Sequence, residues 1–144
     1  EIMKFISMCG DFGMSWLIVI LITNMIDQTR TMSIDMLIAL IAATLIGQVT
    51  IKSLVRRKRP CHTYPEVQLL ITTPSDLSFP SGHTTSSFAC STVMMLYNPI
   101  LGIIGYIYAI LTAISRLYLF VHYLSDVVTG VILGITIGII TYLL

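Results

Sequence analysis

Charge is what this sequence has least of. Only 10% of its 144 residues are Asp, Glu, Lys or Arg, against about 25% in an ordinary soluble domain. So few charged side chains cannot cover a chain that is 56% hydrophobic with a mean hydropathy of +0.90. This excludes a soluble globular domain and makes the membrane the solvent. Cysteine is scarce as well. Cys9, Cys61 and Cys90 are odd in number and show no CxxC or Cys/His metal spacing, which excludes a disulfide framework and a zinc site. Cys90 lies inside an apolar helical pattern, where a thiol behaves as a small hydrophobe. No second carboxylate clusters near Asp126, so metal-assisted chemistry is disfavoured and no metal or cofactor is expected. No repeat, low-complexity tract or signal-peptide cleavage pattern is visible. The chain starts at Glu1 rather than Met, which leaves room for residues before it.

What is present in quantity is apolar length. A membrane helix needs about 20 mostly apolar residues. Met36 to Val55, Pro99 to Val121 and Tyr123 to Leu144 meet this. Ser81 to Tyr97 is shorter and ends at the Asn98-Pro99 break, and Phe12 to Asp27 is a weaker fifth run. Ile2, Phe5, Ile6 and Cys9 fall at helical spacing, which predicts a short helix over Glu1–Cys9 lying on the membrane surface. The expected fold class is all-α: an integral membrane helical bundle of about five transmembrane helices in one domain, residues 1–144. Asp27 to Asp35 reads as a short connector, and Arg56 to Phe79, with Pro60, Pro65 and Pro74, as a long loop. Gly130, Gly134 and Gly138 repeat every four residues, the spacing that lets helices approach closely in lipid.

Net charge is only +1, yet five of the eight basic residues lie between Lys52 and Arg59. Threading the runs across a bilayer puts this cluster, the start of Ser81–Tyr97 and the Ser115–Asp126 stretch on one membrane face. The first cluster, KSLVRRKRP, places Lys52 and Arg59 seven apart, on one face if the helix continues. Lys52 lies inside the apolar run, where a charge asks for a partner or an anionic ligand. Arg56, Arg57 and Lys58 read as a positive cap that anchors the helix end. The second, PSGH at Pro80–His83, offers the Ser81 hydroxyl, a Gly82 backbone open to close approach, and helix N-terminal N–H groups that favour an anion. By itself it would be a Pro-Ser helix cap with an incidental His83. The third, SRLYLFVHYLSD, spaces His122 and Asp126 at i, i+4, which lets the carboxylate hold one imidazole nitrogen and leave the other free, as in hydrolase triads. Arg116 stands just before it. Three cations with an anion nest match a phosphoryl group, and two histidines with one carboxylate suggest separate jobs. Spacing alone does not decide which histidine attacks.

K-x6-RP, PSGH and SR-x5-H-x3-D, in that order, resemble the type 2 phosphatidic acid phosphatase superfamily, and the match spans Lys52 to Asp126. The resemblance implies an integral membrane helical bundle that hydrolyses phosphate esters or pyrophosphates without a metal. It makes His122 the nucleophile that forms a phosphohistidine, Asp126 its orienting partner, and His83 the general acid. Lys52, Arg59, Ser81, Gly82 and Arg116 become the phosphate ligands. Integral members commonly have six spans where five are counted here. The first family helix looks absent or replaced by the helix at Glu1–Cys9.

The expected substrate is a lipid phosphate or diphosphate whose tail stays in the bilayer, with membrane lipids as the other partner and no nucleic acid. The size of the chain resembles the bacterial enzymes for undecaprenyl diphosphate, phosphatidylglycerophosphate or phosphatidate, and undecaprenyl diphosphate is favoured. The alternatives are a lipid phosphotransferase of the same superfamily and a non-enzymatic lipid-phosphate binding or transport protein. A vanadate haloperoxidase shares the phosphate site, but the apolar runs argue against it. The positive-inside rule, counting Lys4, Arg56, Arg57 and Lys58 against Arg30, would put the active face in the cytoplasm. The resemblance puts it on the extracytoplasmic face of the bacterial cytoplasmic membrane, and that is the expectation adopted.

Overall fold

The computed structural model describes residues 3–5 and 13–144. Among them there is no strand. The order is α1 (Met14–Asn24), a 3-10 turn (Asp27–Thr29), α2 (Arg30–Ala43), a π-helical segment (Thr44–Ile51), α3 (Lys52–Val55), α4 (Pro60–Thr63), α5 (Gly82–Tyr97), α6 (Pro99–Tyr118) and α7 (Leu124–Leu143). Three stretches are long and apolar enough to cross a membrane: Asp27–Thr63, Pro99–Tyr118 and Leu124–Leu143. With the shorter apolar α1 and the buried α5, they stand where the five apolar runs lead one to expect helices. The surface helix expected over Glu1–Cys9 lies largely outside the described residues; residues 3–5 are helical.

The main difference from expectation is where the second long helix begins. It starts at Arg30 rather than Met36, so the connector shrinks to residues 25–29. Two local causes are visible. Arg30 pairs with Asp27 at 2.9 Å, and the Ser33 hydroxyl turns back to the carbonyls of Thr29 and Arg30. Both satisfy polar groups inside a helical turn that composition alone reads as loop. Further along, the same rod widens into the π segment, where the Thr50 hydroxyl bonds the Leu45 carbonyl five residues back. Such segments occur often at functional sites.

α5 is the centre of the bundle. Nearly every residue from Gly82 to Met94 is buried, and α7, α6 and α2 pack around it. Its small side chains permit this, and three of its hydroxyls turn back onto the helix: Thr85 bonds the Ser81 carbonyl, Ser86 that of Gly82, and Thr92 that of Phe88. A helix this polar can sit at membrane depth because protein, not lipid, surrounds it. α6 shows the complementary pattern. Ile100, Ile103, Ile104, Ile107 and Ile114 are exposed, while Gly102, Gly105, Ala109, Thr112 and Ala113 face inward.

The glycine repeat in α7 packs as its spacing predicts. A Cβ on Gly134 would lie 2.5 Å from the Thr85 carbonyl oxygen and 2.8 Å from the Phe88 Cβ. α5 must come that close for its N-terminus to reach the start of α7. Gly134→Val should therefore destabilise by about 1–3 kcal/mol or more, read as a lower melting temperature of the detergent-solubilised protein. Thr136→Val on the exposed side of the same helix should leave that temperature unchanged.

Candidate active site

One cavity of about 1320 Å³ is lined by Lys52, Arg59, Gly82, His83, Arg116 and His122. The three sequence clusters therefore meet as the threading across the bilayer predicts. Each residue is delivered by a different piece of backbone. Lys52 opens α3, Arg59 is the N-cap of α4, Gly82 and His83 form the first turn of α5, Arg116 lies in the last turn of α6, and His122 sits in the bend before α7. Lys52, Arg59 and Arg116 are all buried. Three cations out of water create strong demand for an anion.

Lys52 and Arg59 meet for a different reason from the one their spacing suggests. The helix does not continue between them. Arg56 takes a left-handed conformation, φ 51°, and ends α3. The chain then reverses, and the two cations converge on one carboxylate in the following loop. Lys52 Nζ donates to Asp76 Oδ2 at 2.6 Å, and Arg59 Nη2 to Asp76 Oδ1 at 2.7 Å.

Arg59 also fixes the state of His122. Its Nη1 lies 3.0 Å from His122 Nε2 and donates to the Val121 carbonyl at 2.9 Å. A guanidinium can only donate, so Nε2 accepts, and the ring proton belongs on Nδ1. That nitrogen faces Asp126 Oδ2 at 3.6 Å, beyond hydrogen-bonding distance. Burial pushes the His122 pKa down; the Arg59 and Arg116 charges add to this, and the opposing pull of Asp126 does not cancel them. The result is about 4. The site thus holds an unprotonated imidazole nitrogen among cations.

The i, i+4 spacing thus brings Asp126 beside His122 without the hydrogen bond expected from it, and other groups hold the carboxylate. It is fully buried and accepts the Tyr123 N–H at 2.9 Å, closing the first turn of α7. Ser78 Oγ donates to the same Oδ2. Arg57 Nη1 donates to Oδ1 at 2.8 Å and to Ser125 at 2.6 Å, while its guanidinium lies 3.9 Å from the centre of the Tyr123 ring. Arg57 is therefore not a simple topology anchor, which corrects the reading from sequence: it is the ionic partner of a buried carboxylate. Arg56 and Lys58 do remain exposed.

Three side chains at this site escaped the motif reading. Asp76 and Ser78 lie in the long loop, outside every motif. The one available signal was charge balance, because Asp76 and Glu66 are the only acids of a loop that carries Arg56, Arg57, Lys58 and Arg59. Gln48 lines the cavity from the π segment, and its Nε2 would lie 1.5 Å from a Cβ on Gly82. Gly82 is thus needed for an amide to lie against it. Ser81 is placed differently from expectation. It is not among the residues lining the cavity; its hydroxyl is 2.9 Å from Thr84 Oγ1, and its N–H donates to the Asp126 carbonyl at 3.1 Å. Among the described residues no group of three or more His, Cys, Asp or Glu side chains could hold a metal ion.

The chain is similar to several known proteins. Over 100 residues the chain is 42% identical to the decaprenylphosphoryl-5-phosphoribose phosphatase of Mycobacterium tuberculosis, covering 62% of this chain and 49% of that protein. It is 32% identical over 120 residues to an undecaprenyl-diphosphatase of Sulfolobus acidocaldarius, covering 83% and 58%. The chain spans about half the length of these curated relatives. The crystal structure of Aquifex aeolicus LpxE superposes with a TM-score of 0.86 at 25% identity, over 97% of this chain and 82% of that one. The PAP2 superfamily profile matches residues 33–144, the span that carries Lys52, Arg59, Gly82, His83, Arg116 and His122, and the chain belongs to that superfamily.

Proposed function

We propose that this chain is a membrane lipid phosphatase that works without a metal, through a phosphohistidine on His122. The observation that carries the proposal is one cavity with both charged and apolar lining, the two set apart by the helical rise from Leu37 to Lys52. At one end stand Lys52, Arg59, Arg116 and the two histidines. The same space is lined further on by Leu17 of α1, Leu37, Leu40 and Ile41 of α2, and Leu45 of the π segment. A phosphorylated headgroup on a hydrocarbon tail fits both ends, and a water-soluble phosphate ester would leave the apolar end unused.

In this reading Lys52, Arg59, Arg116 and the Gly82 backbone hold phosphoryl oxygens. Ser81 joins them only by turning its hydroxyl from Thr84. Arg59 touches Nε2 of His122, so an oxygen bound to Arg59 brings phosphorus beside the attacking nitrogen. The Nε2 lone pair forms the N–P bond while the bond from phosphorus to the leaving oxygen breaks. His83 gives that oxygen its proton. Asp126 stabilises the positive ring from the Nδ1 side. Water then attacks phosphorus, His83 takes its proton, and the N–P electron pair returns to Nε2.

The substrate proposed is a polyprenyl phosphate or diphosphate, with undecaprenyl diphosphate first. Both relatives described above are named for polyprenyl-linked phosphates, and the apolar end gives a long tail a place to lie. We propose also that the cavity opens on the extracytoplasmic face. Arg57 is engaged by Asp126 and Lys4 lines the cavity. That leaves Arg56 and Lys58 against Arg30 in the positive-inside count, which greatly weakens the case for the opposite orientation.

Three outcomes are expected. Phosphate release from undecaprenyl diphosphate, assayed in excess chelator with no acceptor lipid, should persist in the wild type and vanish in His122→Ala. It should fall about 10⁴-fold in Asp126→Asn; near-normal turnover in either variant, or dependence on added magnesium, contradicts the mechanism. Because the His122 pKa is depressed, the neutral ring prevails above about pH 4 and is lost only as pH falls through that value. Histidine NMR titration of the unliganded protein, assigned with His62 and His83 variants, should therefore show no His122 transition near 6.5. Cys61 and Cys90 are buried, so a reporter His62→Cys in a Cys9→Ser background should be modified by an impermeant maleimide added outside intact cells. Protection from outside with labelling after lysis reverses the orientation.

A further inference from the structure

The cations assigned to phosphate already hold an anion. One carboxylate, that of Asp76, bridges Lys52 at 2.6 Å and Arg59 at 2.7 Å, and Arg59 Nε adds a bond to the Asp76 carbonyl at 3.0 Å. A carboxylate and a phosphoryl group present paired oxygens to a guanidinium in the same way. The exposure is lopsided. The Lys52 and Arg59 side chains are 7% and 5% exposed, whereas that of Asp76 is 52% exposed. The cations are fixed in the wall and the anion approaches from the open side, as a ligand would.

We infer that Asp76 is a built-in competitor for the substrate: its carboxylate occupies the places on Lys52 and Arg59 that phosphoryl oxygens take, and headgroup binding exchanges one anion for the other. This rests on the reading of Lys52 and Arg59 as phosphate ligands. Three further features support it. Residues 71–76 all line the cavity, so the segment that carries Asp76 forms part of its wall. Among the described residues, no backbone–backbone hydrogen bond involves residues 68–77, so the polar ties on Asp76 are the two ion pairs and the Arg59 Nε bond to its carbonyl. Ser78 is anchored on both sides, its N–H to the Arg57 carbonyl at 2.8 Å and its hydroxyl to Asp126. The loop can therefore release Asp76 without freeing the carboxylate beside His122.

The exchange serves the empty site and the product alike. Buried cations without a counter-charge are costly, and Asp76 supplies one when no substrate is bound. Burial alone would raise its pKa, but the Lys52 hydrogen bond and the Arg59 and Lys52 charges hold it at about 2. The competitor is thus charged at every working pH. A small anion with no tail, such as the inorganic phosphate left after hydrolysis, must displace Asp76 with no help from the apolar end and leaves readily.

The test is calorimetric titration of inorganic phosphate into the purified full chain in detergent micelles, for wild type, Asp76→Asn, Asp76→Ser and Lys52→Gln. If Asp76 fills the site in roughly nine molecules of ten, removing its charge should tighten phosphate binding about ten-fold. Tighter binding in either Asp76 variant supports the inference. Unchanged or weaker binding in both overturns it, because Asp76 would then be a fixed brace for the cations. Lys52→Gln separates the two readings. If it loses phosphate affinity while the Asp76 variants gain none, the phosphate site stands and the competitor falls. If it binds phosphate as well as wild type does, the phosphate assignment itself falls.

Discussion

The site depends on keeping one carboxylate charged with no water around it. Asp126 is fully buried, and an ion in that position is tolerated only when donors surround it. They come from three parts of the chain: Arg57 after α3, Ser78 before α5, and the Tyr123 N–H at the start of α7. Meeting that demand ties a loop of more than twenty residues to the first turn of a membrane helix. The Ser78 N–H bond to the Arg57 carbonyl completes a clasp with two rungs. Arg57 and Ser78 serve Asp126 on one rung. Arg59 and Asp76, each two residues inward, meet on the other and face the cavity.

Packing sets where that clasp can close. α5 carries Gly82 and His83 into the cavity, and its position is decided by how closely α7 approaches along Gly130, Gly134 and Gly138. A larger residue there would hold α5 away from His122, which stands directly before α7. The same closeness appears where Gln48 lies against Gly82. The π segment that carries Gln48 adds to the polar lining without adding charge. Cations, histidines and the apolar groove thus share one cavity because small residues let three helices come together at its base.

Much of this was legible from residue order. The apolar runs, the glycine period and the three polar blocks each report a local periodicity or a local spacing, and in lipid those constraints are severe enough to locate helices and the face that the blocks share. The start of α2 was missed because Ser33 and Arg30 satisfy their polar groups within the helix. Arg57 was misread because charge next to a membrane helix has a ready topological explanation. Its true partner is 69 residues away, and no period links the two.

The sequence by itself determined a membrane helical bundle and superfamily membership, and it singled out Lys52, Arg59, Ser81, Gly82, His83, Arg116, His122 and Asp126 as the candidate phosphate site. Only the tertiary structure decided that Asp126 is shared among Arg57, Ser78 and the α7 start, that Arg59 holds the ring proton of His122 on Nδ1, and that Asp76 fills the cation pair. The reason is physical. Helix and span signals are written in neighbours three or four residues apart, whereas a buried charge takes whichever donors the fold brings within 3 Å or so, from any distance along the chain.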